Sequence, residues 1–104
     1  MKHIKVYDNL DNNEPEEGDY VICKEHSLNK YFVLFLENNI GKIIKINDYR
    51  YFITYDNIPE ECNDYFMLYF CNFKTRDFFK SEIKYWSKNK KDLEIILQAN
   101  KYNL

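Results

Sequence analysis

The sequence predicts a mainly β protein, a small and strongly bent antiparallel β-barrel that is followed by one C-terminal α-helix. The chain of 104 residues, 45% of them apolar, suffices for a single domain with one core. Five or six short strand-like segments with turn residues between them fill residues 19–86. Apolar residues recur at helical spacing only near the C-terminus, at residues 89–101.

Residues 1–18 form a predicted acidic arm. The stretch from Asp8 to Asp19 carries six carboxylates and no basic residue. Self-repulsion among these carboxylates predicts that the arm is exposed and mobile. Within it, Ile4 to Tyr7 alternates apolar and polar residues and is a candidate edge strand.

The first predicted strand covers Asp19 to Lys24 and follows Gly18, a residue able to take a positive φ at a turn. The segment Tyr31 to Leu36 is apolar at every position, so periodicity alone leaves a buried strand and a short helix as alternatives. Its β-branched and aromatic content favours the strand.

A β-hairpin is predicted from Ile40 to Tyr55, because Asn47 and Asp48 can adopt the left-handed conformations of a tight turn. Tyr65 to Phe73 is aromatic and strand-like. The basic segment KTRD at residues 74–77 is a predicted turn, and Glu82 to Trp86 is a predicted short final strand.

The predicted helix closes the chain. Asn89 is suited to cap it, Asp92 lies in its first turn, and Leu93, Ile96 and Leu97 form one apolar stripe. Because a helix of about eleven residues is marginal alone in water, this stripe must pack against the sheet or a partner.

The order and spacing of four segments, "EGDYVIC", "NNIGKIIKI", "YFITYDNIP" and "EIKYW", resemble the SH3-like barrels of the KOW type. In those barrels a Gly-Asp pair opens the first strand and an Ile-Gly-Lys-Ile sequence begins the second. The resemblance covers residues 18–86 and implies an SH3-like barrel. The whole chain is also similar to small uncharacterised proteins of phages and large DNA viruses, down to the terminus Lys101 to Leu104, which implies a viral origin.

Composition points to the same origin and to the cytoplasm. Asn, Lys, Tyr and Ile make up nearly half of the residues, which is typical of an A+T-rich genome. The N-terminus lacks the apolar region of a secretory signal, and no apolar run reaches the roughly 18 residues that span a bilayer. Cys23, Cys62 and Cys71 form no CxxC pair, and we expect buried free thiols in a reducing compartment.

The sequence argues against an enzyme and predicts no cofactor and no metal. Cys23 and His26 are too few ligands for zinc, and a core thiol beside an exposed loop histidine is the preferred interpretation. Glu60, Glu61 and Asp64 lack the spacing of a calcium loop, so a solvated acidic loop is expected. Walker A, GxGxxG, GxSxG and HExxH motifs are absent from the sequence.

Charge is unevenly distributed along the chain. Residues 8–64 hold thirteen acidic against five basic side chains, whereas residues 65–104 hold eight basic against four acidic. Carboxylates at phosphate-like density can occupy a basic groove on a nucleic-acid enzyme. The leading hypothesis is therefore a non-enzymatic protein-interaction module that binds and modulates a host protein with a basic surface, for example by inhibiting a nucleic-acid-targeting defence complex. The predicted partner-binding residues are Glu14, Glu16, Glu17, Tyr49, Tyr51, Glu60 and Glu61.

An alternative hypothesis is a KOW-like nucleic-acid binder, because cations neutralise phosphates and aromatic rings stack on unpaired bases. Its predicted residues are Lys74, Arg76, Lys80, Lys84, Tyr85 and Trp86. The competing interpretation of this segment is a solvated surface over a buried aromatic row. A third hypothesis is a virion or assembly component, and the sequence leaves the oligomeric state open.

Overall fold

A computed structural model describes residues 14–70 and 72–102 of the chain. Its helices and strands are β1 (Tyr20–Cys23), α1 (Lys30–Asn38), β2 (Gly41–Asn47), β3 (Arg50–Thr54), β4 (Met67–Tyr69), β5 (Asn72–Phe79), β6 (Ile83–Ser87) and α2 (Lys90–Tyr102). Two short 3-10 helices, Glu60–Tyr65 and Lys80–Glu82, precede β4 and β6. The six strands form one antiparallel sheet in the order β4-β5-β3-β2-β1-β6, so the mainly β class with a C-terminal helix is confirmed.

The sheet is open, and the SH3-like barrel expected from the sequence is not confirmed. Closure requires the two edge strands to pair with each other. Here β4 pairs with β5 and β6 pairs with β1, which leaves both strands at edges of the described sheet. A segment that was expected to supply a further strand, between β1 and β2, is instead a helix.

That helix is α1, and the strand preference for Tyr31 to Leu36 was wrong. The side chain of Asn29 caps the helix, because its Oδ1 accepts hydrogen bonds from the backbone N–H groups of Tyr31 (2.9 Å) and Phe32 (3.2 Å). Phe32, Phe35 and Leu36 are buried at positions i, i+3 and i+4. Burial of this stripe against the sheet outweighs the β propensity of the segment.

The predicted hairpin and C-terminal helix are confirmed. β2 and β3 pair from Lys42–Thr54 to Asn47–Arg50, and Asp48 in the turn has φ 57°. At the start of α2, Asn89 Oδ1 accepts a hydrogen bond from Lys91 N at 3.0 Å.

The segment from Tyr65 to Phe79 differs from the prediction. The expected single strand is split into β4 and the beginning of β5 by a turn that starts at Phe70, and the expected basic turn at 74–77 lies inside β5. Phe70 has φ 50°, a left-handed conformation that a bulky side chain rarely adopts. No glycine or proline marks this turn in the sequence, so local rules miss it.

The two helices lie on opposite faces of the sheet. Phe32 and Leu36 of α1 belong to the same buried core as Val21, Ile43 and Ile53. Leu93 of α2 is buried with Ile22, which points to the opposite side of β1 because strand side chains alternate. α2 packs on β1 and β6. On the same face of the sheet, the other four strands, β2, β3, β5 and β4, are not covered by a described helix.

Candidate interaction surface

We call this uncovered surface of β2, β3, β5 and β4, on the α2 side of the sheet, the open face. Strand register defines its residues. Side chains that pair across neighbouring strands share a face. One row runs through Lys45, Phe52 and Asp77, and the next through Asn47, Arg50 and Phe79. A third row runs through Lys42, Thr54, Thr75 and Met67. With the side chains that contact these rows, the open face comprises Lys42, Lys45, Asn47, Tyr49, Arg50, Phe52, Thr54, Met67, Tyr69, Phe70, Thr75, Asp77 and Phe79.

Phe52 is buried at the centre of the open face beneath two other aromatic rings. Its ring centroid lies 4.8 Å from that of Tyr69 and 5.0 Å from that of Phe70, both in edge-to-face geometry. These contacts hold Phe70 in its left-handed turn with 53% of the residue exposed. Strained backbone conformations of this kind cluster at binding sites, so the exposed ring of Phe70 is a candidate contact.

A second aromatic pair extends the open face beside the β2–β3 turn. The rings of Tyr49 and Phe79 are stacked with centroids 5.8 Å apart and an interplanar angle of 11°. Tyr49 is 67% exposed and Phe79 52% exposed. Each ring therefore covers one face of the other and presents its remaining surface to solvent.

Arg50 lies between the two aromatic groups, paired with Phe79 in the strand register and positioned over the ring of Phe52. Its guanidinium carbon lies 5.5 Å from the Phe52 ring centroid, and its Nε donates to Asp77 Oδ2 at 2.9 Å. Asp77 Oδ1 also accepts a hydrogen bond from the Tyr69 hydroxyl at 3.4 Å. Burial acts to raise the pKa of Asp77, but the hydrogen bonds and charge of Arg50 prevail and lower it.

Lys42 and Lys45 complete the positive charge of the open face. Lys42 Nζ lies 5.6 Å from the Tyr20 ring centroid, and Lys45 is exposed and in no ion pair with any residue that the structure describes. Among the described residues, Asp77 is paired with Arg50, Asp48 lies in the turn, and the Glu17 carboxylate accepts a hydrogen bond from Ile46 N beside Lys45. Lys42 and Lys45 are thus two cations on the open face that form no ion pair with a described residue, although the whole chain has a net charge of −2.

The predicted acidic residues of the arm are engaged within the molecule. Glu14 forms an ion pair with Lys80 at 2.5 Å, and Glu16 forms one with Lys88 at 2.6 Å. Glu17 Oε2 accepts a hydrogen bond from Ile46 N at 3.0 Å. Residues 14–18 are therefore fastened to the folded protein; the rest of the arm, with the candidate strand Ile4 to Tyr7, lies outside the described residues.

The other predicted partner-binding residues are spread over different elements. Tyr51 is 8% exposed and belongs to the core under α1, so its prediction as an exposed contact was wrong. Its neighbours on β3 alternate, and the alternation directs Tyr51 inward while Arg50 and Phe52 point to the open face. Glu60 and Glu61 are exposed on the 3-10 helix that packs against α1.

The residues predicted for nucleic-acid binding do not form one surface. Arg76 is held by Glu25 through two hydrogen bonds of 2.8 and 2.9 Å, and Trp86 is 8% exposed in the core. Lys80 is paired with Glu14, and Tyr85 is half-buried beside α2. Of the six predicted residues, only Lys74 and Lys84 are exposed without a described ion pair.

The cysteines considered for thiolate chemistry or metal binding are buried where the structure describes them. Cys23 and Cys62 are buried and free, as expected, while Cys71 lies outside the described residues. Burial raises the pKa of the Cys23 thiol to about 12, so it is protonated near neutral pH, and His26 is exposed. In residues 14–70 and 72–102, no group of three or more metal-ligating side chains could hold an ion. The same residues contain no helix long and apolar enough to cross a membrane.

No protein-family model, curated protein or solved structure matches the chain in the comparisons made. The resemblance to KOW-type barrels and to viral proteins consequently stays a prediction.

Sequence reasoning singled out Tyr49 on the open face but missed its cations and its central ring. The alternation of Arg50, Phe52 and Thr54 in the predicted hairpin was the available signal, because it contrasts with the fully apolar alternate positions Tyr51 and Ile53. The contribution of β4 could not be found, since the turn at Phe70 has no local signature.

Proposed function

We propose that this protein is a non-enzymatic interaction module that binds another macromolecule through the open face. The observation that supports this most is the presence of three exposed rings, Tyr49, Phe70 and Phe79, each 52 to 67% exposed on a sheet face without a described helix above it. Large exposed apolar patches rimmed by polar residues mark interaction sites, and aromatic and arginine side chains dominate binding energy in them.

The origin, cellular location and role of the protein that were predicted from the sequence are also part of this proposal. A phage or viral origin, a place in the host cytoplasm, inhibition of a host protein in antiviral defence, and a likeness to SH3-like barrels of the KOW type are all compatible with a small module of this shape. They rest on the sequence patterns alone.

A capture experiment with surface variants tests the open face. The immobilised protein is exposed to the lysate of a low-GC bacterium, and the eluate is analysed for both protein and nucleic acid. We expect the Phe70→Ser/Phe79→Ser variant to lose what the wild type retains, because it removes two of the three exposed rings, neither of which belongs to the core under α1. The control variant Leu28→Ser/Ile95→Ser changes two apolar residues elsewhere that are at least as exposed, and it should behave as wild type. Capture that is absent, or that is the same for both double variants, would count against the proposal.

A second candidate surface is acidic. Asp56, Glu60, Glu61 and Asp64 are all exposed, and none forms an ion pair with another described residue. These four side chains could bind a basic host protein, as predicted, whereas Glu14, Glu16 and Glu17 of the arm are already engaged within the molecule. The Glu60→Lys/Glu61→Lys variant should weaken partner capture and its salt dependence. Unchanged capture would reject this acidic version.

A further inference from the structure

The open face combines positive charge with exposed ring planes, a pairing that restricts what can bind there. Lys42, Lys45 and Arg50 are gathered on this one face of an acidic protein. An apolar partner would leave the two lysines uncompensated, so charge complementarity favours an anionic one. On the same face, Phe79 pairs with Arg50 across β5 and β3, Tyr49 stacks on Phe79, and Phe70 contacts Phe52, which pairs with Lys45.

We propose that the open face binds single-stranded nucleic acid, with unpaired bases stacking on Phe79, Tyr49 and Phe70 and with phosphates beside Lys42 and Lys45. This inference rests on the proposed function, since it names the partner of the same surface. Every base has a flat π-face, so stacking on these rings is tolerant of sequence. This interface is not the one predicted from the sequence. Phe79 lies in the same segment, residues 74–86, but was not among the predicted nucleic-acid-binding residues.

The geometry selects a single strand over a duplex. In a duplex the base faces are already stacked on one another, and exposed protein rings reach only base edges and sugars. Three strand spacings separate β2 from β4, a distance of about 14 Å, which accommodates roughly two or three nucleotides. Arg50 is bound to Asp77, so the two lysines provide the direct phosphate contacts.

Fluorescence anisotropy with labelled ten-residue oligo-dT and oligo-rU tests the inference. Two lysine–phosphate contacts predict a log–log salt slope of about −1.4, which is roughly a 7-fold loss of affinity between 50 and 200 mM salt. Lys45→Gln should reduce the slope to about −0.7. Lys91→Gln removes the same charge from exposed α2 and should leave the slope unchanged.

The stacking contribution is tested separately with Phe79→Leu, which keeps apolar bulk but removes the ring. Binding should weaken about 5-fold or more without a change of salt slope. Circular dichroism of each variant verifies that it is folded, and amide chemical-shift changes on adding oligo-dT should map to β2, β3 and β5.

Two competing anions distinguish the alternatives. A duplex of the same length and a deca-glutamate peptide should bind more weakly than oligo-dT. Equal binding of the peptide, with no effect of Phe79→Leu, would overturn the inference and indicate an acidic protein partner. Failure of every oligonucleotide at 50 mM salt would also overturn it, whereas selective loss of a captured protein from the Phe70→Ser/Phe79→Ser variant would leave the proposed function standing.

Discussion

Replacing Arg76 with alanine is expected to destabilise the protein by about 3 kcal/mol, because it leaves a nearly buried carboxylate without its partner. Arg76 Nε and Nη2 donate to the two oxygens of Glu25, and Nη1 donates to the Tyr65 carbonyl at 3.0 Å. The guanidinium carbon also lies 5.0 Å from the ring centroid of Phe32. Burial alone would lower the pKa of Arg76, but the hydrogen bonds and charge of Glu25 prevail and raise it.

The magnitude follows from solvent exposure. Breaking a buried ion pair by removing one partner costs about 3–5 kcal/mol, and the 27% exposure of the Arg76 side chain, against 10% for Glu25, places the loss at the lower end. Arg50 and Asp77 provide the matched control, since the same two chemical groups there are 44% and 30% exposed. Surface ion pairs of that kind contribute little because water screens them, so Arg50→Ala should be mild.

Urea unfolding followed by the fluorescence of Trp86, the single and buried tryptophan, measures both variants. With an m-value of about 1.5 kcal/mol/M, the Arg76→Ala midpoint should fall by about 2 M, and the Arg50→Ala midpoint should fall clearly less. A double-mutant cycle with Glu25→Gln should give a coupling energy above about 1 kcal/mol. Equal midpoints for the two arginine variants, or negligible coupling, would refute the reasoning from burial.

Three further predictions concern single positions and use the same unfolding assay. Gly41→Ala should cost about 2 kcal/mol or more, because a β-carbon there would stand 2.5 Å from Ile53 Cγ2; a neutral effect would mean that the sheet can separate locally. Tyr55→Phe should cost less than about 1 kcal/mol, because the buried hydroxyl meets the Cys23 thiol, which is a weak hydrogen-bonding partner, and a larger loss would indicate a stronger hidden partner such as water. Phe70→Gly should be about 1 kcal/mol more stable than Phe70→Ala, because both lose the ring but only glycine is relaxed at φ 50°; equal stabilities would contradict the left-handed turn.

Elements with a local signature were predictable from the sequence, and the others were not. The β2–β3 hairpin and α2 each carry a turn or cap residue together with the right periodicity. The segment that became α1 has no periodicity because every position is apolar, and its side chains are sorted only by the sheet on which it packs. Asn29 was the one local clue, since a capping residue two positions before an apolar run favours a helix.

Charge patterns misled the prediction of the site because ion pairing is long-range. Glu16 and Lys88 are 72 positions apart in the sequence, yet their side chains are 2.6 Å apart in the fold. The acidic arm and the basic C-terminal segment were predicted as two opposite fields, whereas part of each neutralises the other. Only the topology, which places β6 next to β1 and the end of the arm, reveals this.

The positive character of the open face depends on one irregularity in β2. Lys42 and Lys45 are three residues apart, so strict alternation would direct them to opposite sides of the sheet. The register shifts between Ile43 and Lys45, where Ile44 forms a bulge, and both lysines then share the face opposite α1. The same bulge lets Ile43 and Ile46 both face the core, and burial of these two apolar side chains is the physical reason for it. Hydrophobic packing on one side of the strand thereby concentrates cations on the other, next to the exposed rings.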